Sequence, residues 1–92
     1  MSEDARVYDV AYMAEPHCAK GQATVTADPL NVRRGPGLSY GLLDQLSLGA
    51  PVTVWAVERD ATGAAWYLVQ DVRGLTGWCA AAFLRVQGRL VA

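Results

Sequence analysis

From Gln22 onward, apolar and polar residues alternate in short runs broken by Gly, Pro and Asp. Residues 22–27 alternate and are rich in β-branched side chains, which predicts a strand. Leu30 and Val32 point one way while Asn31 and Arg33 point the other, the pattern of a half-buried strand. Residues 34–41 hold three glycines and a proline. Gly opens φ and Pro fixes it, so this loop can be well ordered. A short strand follows at 42–46, then a turn at 48–51. Residues 52–57 form a strong strand with apolar side chains on both faces, and strict alternation puts Trp55 with Thr53 and Val57. A hairpin turn at 60–63 leads to a return strand at 65–70, a turn at Arg73-Gly74 and a strand at 76–80. Residues 81–84 read as one helical turn, because Ala suits helices and is poor in strands. Arg85-Val86 then returns to a strand.

The first twenty residues differ in texture. Val7, Val10 and Ala11 recur at helical spacing, and Tyr8 and Tyr12 form a neighbouring stripe. Glu3 and Asp4 suit a helix N-terminus, and Pro16 stops a helix near Glu15. A short helix and an extended arm both fit. A helix this short is marginal alone, so it packs on the rest of the chain, packs on another protein, or frays.

The organisation that follows is an N-terminal arm over 1–21, a β-domain over 22–86 and a tail over 87–92. Five or more short strands with tight turns imply an all-β barrel or sandwich. Closing a barrel removes the exposed edges that a small sheet otherwise has to protect.

Composition narrows the function. A chain of 92 residues is about one domain, and 52% apolar residues argue for a packed core rather than disorder. So short a chain has little room for a deep, solvent-excluded active site beside its core. The net charge is −1, which lacks the basic face of a general nucleic-acid binder and the polybasic route to an anionic membrane. Nucleic acid and direct membrane insertion are therefore not expected as partners. No apolar stretch approaches the roughly 20 residues of a membrane span. The acidic start Met1-Ser2-Glu3-Asp4 is unlike a secretory signal. The expectation is a cytoplasmic protein if the chain is complete, and the cell envelope if it is a piece of an exported one.

Catalytic and metal chemistry find little footing. Cys18 and Cys79 are too few for a disulfide framework, and their spacing is no metal or redox motif. His17 beside Cys18 supplies two adjacent ligand types with no second pair, short of the set that zinc takes. Neighbouring residues rarely hold nucleophile and base in hydrogen-bond geometry. Asp28, Asp44, Asp60 and Asp71 fall at turns and strand ends, where Asp serves turn chemistry. No catalytic residue, metal or cofactor is expected.

Several separated motifs carry a family signature. Thr24-Val25-Thr26-Ala27 leads into Leu30-Asn31-Val32-Arg33-Arg34-Gly35-Pro36-Gly37. Tyr40-Gly41, Leu48-Gly49, Trp66-Tyr67-Leu68-Val69, Gly77-Trp78 and Phe83-Leu84 follow in order. From Gln22 to Val86 the chain resembles a bacterial SH3 domain (SH3b) of the "LNVRxGP" type. The resemblance implies an SH3-like barrel of five to seven short strands. It also implies a non-catalytic binding or targeting module, of a kind commonly attached to peptidoglycan hydrolases. Cys79 stands where the family often has Val, which suggests a small buried hydrophobe. The resemblance says much about fold and little about ligand, because function resides in the site.

Candidate contacts come from the exposed loop and the aromatics. Arg34 and Tyr40 sit on the 34–41 loop, where recognition residues gather on rigid scaffolds. Trp66 and Trp78 can be core on one side and groove floor on the other. Trp55 forms an apolar patch with Val57 if their face points outward. Tyr8 and Tyr12 are anchors for a partner or for the chain's own barrel. The expected function is recognition of a protein or a peptidoglycan peptide. The alternative is a small accessory subunit of a larger assembly, favoured by the N-terminal arm.

Overall fold

The computed structural model describes residues 19–91. Tyr8, Tyr12, His17 and Cys18 lie outside the described residues. Seven strands run in chain order: β1 Gly21–Val25, β2 Leu30–Arg33, β3 Leu42–Leu46, β4 Pro51–Arg59, β5 Ala65–Gln70, β6 Thr76–Ala80 and β7 Leu84–Val86. A single 3₁₀ turn, Ala81–Phe83, joins β6 to β7. The strands form one antiparallel sheet in the order β3-β2-β6-β5-β4-β1-β7.

Every strand contributes to one interior cluster. It contains Ala23 and Val25, Leu30 and Val32, Leu46, Val52 and Val54, Val69, Cys79 and Leu84. One sheet can gather all seven strands around one cluster only by curling on itself, so this is the expected small all-β barrel of the SH3-like type. Small β-branched residues dominate because they fill the pleated inner surface of a narrow barrel. Truncating Leu30, which is buried here, to Ala is expected to cost about 2–5 kcal/mol.

The bounds of β2, β3, β5 and β6 are those that the alternation predicts. β1 is shorter than predicted and ends at Val25. Thr26 leaves the sheet because its N–H donates to Phe83 O at 2.9 Å, and the chain then turns through a cis Asp28-Pro29 bond. β4 is longer than predicted and runs to Arg59, since pairing with β5 extends to Arg59↔Ala65.

The placing of Val57 on the face of Trp55 by alternation needs correction. Val54 pairs with Val69 and Ala56 pairs with Leu68, so Trp55 is the extra residue of a β-bulge. The bulge shifts the parity of every later position. Val57 falls opposite Tyr67, which in turn faces Cys79, so Val57 shares the interior side with Val54. Trp55 and Val57 therefore do not make a common patch. The Trp55 indole N–H instead reaches Gln70 Oε1 at 3.3 Å.

Residues beyond β7 continue along β1. Gln87 N–H donates to Gln22 O at 2.9 Å, and Val91 N–H donates to Lys20 O at 2.7 Å. Leu90 packs against the interior cluster. Among the described residues, no helix is long and apolar enough to cross a membrane.

Candidate functional site

An open groove lies between the 34–41 loop, the β4–β5 turn and the Ala81–Phe83 turn. Its large exposed apolar side chains are Leu38, Tyr40 and Phe83. Leu38 is 76% exposed, and Tyr40 and Phe83 are each 47% exposed. Trp66 belongs to the same lining but is only 4% exposed. It is buried apart from the interior cluster. Register explains this: Trp66 pairs with Ala80 and Leu68 with Trp78, on the face opposite Tyr67 and Cys79. Trp66 is thus groove floor rather than barrel core.

Asp60 builds the turn and anchors that floor. Its Oδ1 accepts the Thr62 N–H at 2.9 Å, the Ala64 N–H at 3.0 Å and the Thr62 hydroxyl. Its Oδ2 accepts the Trp66 indole N–H at 2.9 Å. Gly63 closes the turn with φ +88°, a conformation that a side chain would strain. These donors, the Thr62 hydroxyl first and the Trp66 indole next, hold the Asp60 carboxyl down at about 2. A carboxylate so acidic and so fully hydrogen-bonded is a structural anion and a poor proton acceptor.

The β5–β6 turn repeats the device. Asp71 Oδ1 accepts the N–H groups of Arg73 at 2.9 Å and Leu75 at 3.0 Å, with Gly74 at φ +91°. Burial pushes the Asp71 carboxyl up, but hydrogen bonds from Arg73 and Leu75 and the Arg73 charge bring it below its ordinary value. Arg73 also reaches Asp44 on β3 at 3.2 Å, tying this turn to the sheet edge.

The 34–41 loop is held from within. Arg34 N–H donates to Gly41 O at 2.9 Å, and Arg33 Nη1 donates to Tyr40 O at 3.0 Å. Gly35 is buried beneath the Tyr40 ring, and a side chain there would overlap the ring. Tyr40 therefore presents a fixed aromatic face.

Of the residues singled out in the sequence, the structure brings Tyr40 and Trp66 together in this groove. Arg34 is exposed, with its side chain alongside Gly41 and outside the groove lining. Trp78 is half-buried on the outer face of β6, opposite Arg33 of β2. Trp55 is half-buried at its bulge. Leu38, Arg59, Asp60 and Phe83 were not singled out as contacts. Asp60 carries a usable signal, since an Asp opening a tight turn six residues before a Trp can reach its indole. Cys79 is buried in the interior, and burial pushes its thiol up to about 12, so it is no nucleophile at neutral pH.

The bacterial SH3 domain family matches residues 28–85, well over half of the chain. The chain belongs to the bacterial SH3 domain family. Domains of this family are commonly non-catalytic binding modules. This SH3 domain is 35% identical over 60 residues to a Bacillus subtilis protein that carries the name of an N-acetylmuramoyl-L-alanine amidase, spanning 65% of the chain and 11% of that protein. It is 32% identical over 74 residues to a serine/threonine-protein kinase D of Synechocystis, spanning 77% of the chain and 15% of that protein. The chain therefore covers only a small part of either relative. No solved structure matches.

Proposed function

We propose that this SH3 domain is a non-catalytic module that binds an extended peptide, from a protein or from the cell wall, in the groove of Leu38, Tyr40, Trp66 and Phe83. The observation that carries this reading is the pairing of three exposed apolar side chains with a Trp anchored beneath them. Aromatic anchors in a preformed concave site are the usual source of binding energy. The relatives support it from another side. A portion shared by proteins named for amide hydrolysis and for phosphoryl transfer is a poor place to seek either chemistry.

The test is a two-dimensional NMR titration of the labelled domain with peptides and with soluble peptidoglycan fragments. Binding should shift the Trp66 indole and the backbone signals of 36–40 and 80–83. Tyr40→Ala and Phe83→Ala should each weaken binding about tenfold, a hot-spot loss of roughly 1.4 kcal/mol. Shifts confined to another face would place the site elsewhere and overturn the proposal.

A further inference from the structure

The groove's hydrogen-bonding capacity is lopsided. Its acidic group, Asp60, already accepts four bonds from its own turn and Trp66. Its cation, Arg59, is exposed and uses one of its five N–H donors on Gly63 O at 2.8 Å. Among the described residues Arg59 makes no ion pair; the carboxylates of Asp44 and Asp71 are engaged by Arg73. The Tyr40 hydroxyl adds a further donor beside the groove, with no partner among the described residues. So the groove's carboxylate is occupied by its own turn, while most of the donors on its guanidinium are free.

Resting on the reading of the groove as a peptide site, we infer that it takes an extended protein segment in which an acidic side chain meets Arg59 while neighbouring aliphatic side chains lie against Tyr40 and Phe83. The guanidinium suits a carboxylate because its planar fork offers two parallel N–H donors. The groove is open to solvent, and its lining sets Arg59 beside Tyr40 and Phe83, so one segment can offer a side chain to each. A basic segment is disfavoured, since Arg59 would repel it and Asp60 has little lone-pair capacity left to receive it.

The probes are three blocked peptides, acetyl-Ala-Leu-Glu-Leu-Ala-amide and its Gln and Lys counterparts, followed by NMR with the intact chain. The Glu peptide should bind about fivefold more tightly than the Gln peptide, and the preference should shrink as salt rises. Arg59→Gln should erase the preference, and Arg59→Glu should reverse it toward the Lys peptide. Equal binding of Glu and Gln peptides with groove residues still shifting would overturn the acidic-segment inference and leave the groove reading intact. Binding of peptidoglycan fragments but of no linear peptide would overturn it in favour of a wall ligand. Shifts that avoid Tyr40 and Phe83 altogether would sink both.

Discussion

The indole N–H of Trp66 and the carboxylate of Asp60 are joined at 2.9 Å, so a turn outside the barrel fixes the largest side chain of the groove floor. The same carboxylate closes the turn, which makes turn shape and groove shape one variable. Asp60 sits near pKa 2 in the fold against an ordinary value near 3.9. A depressed carboxyl lends stability above its unfolded pKa and loses it as the pH falls toward the folded one. The Trp66 indole signal should therefore hold steady above about pH 4 and move as the pH falls from about 3 through 2, where Asp60 takes its proton in the fold. Asp60→Asn should shift that signal at neutral pH and abolish its acid titration; an unchanged titration would remove Asp60 as the group responsible.

Gly35 sets the position of Tyr40. A methyl group there would overlap the ring, yet Tyr40 is exposed enough to swing away. Gly35→Ala is expected to keep the fold, lower stability by about 1 kcal/mol and weaken groove binding several-fold. Thermal melts read the first effect and peptide titration the second. Full affinity in the variant would show that the fixed aromatic face is not needed.

Gly77 is held for a different reason. A Cβ on it would overlap Val32 Cγ1 and lie 3.1 Å from Arg33 O and 3.2 Å from Leu43 Cδ1. The backbone oxygen cannot step aside as an exposed ring can. Gly77→Ala should cost about 1–3 kcal/mol in chemical denaturation, in line with overpacking of a closed interior.

Cys79 tests the interior from another direction. Its thiol should resist alkylation at pH 8 in the folded protein and react in denaturant. Cys79→Val suits an apolar site, whereas Cys79→Ser buries a hydroxyl and should cost about 1–3 kcal/mol more. Equal melting temperatures for the two variants would contradict an apolar surrounding.

Most of the fold is legible in the residues because alternation and turn chemistry agree. Leu30 and Val32 are buried where their period places them, and Asp60 and Asp71 open turns as their type suggests. Trp55 marks where this fails: a bulge shifts parity without any Gly or Pro to announce it. The site was half visible. Tyr40 and Trp66 stand out by size, but their meeting depends on the path of the 34–41 loop across to the β4–β5 turn. Phe83 and Arg59 join them only through that long-range closure, so nothing local to either residue points to the groove.

The bond from Val91 N–H to Lys20 O places the two flanks of the barrel side by side. A polypeptide that arrives at Ala19 and departs after Val91 enters and exits through a single doorway. Such a module can be spliced into a surface loop of a host, or strung as a pendant, with almost no detour in the host's own path.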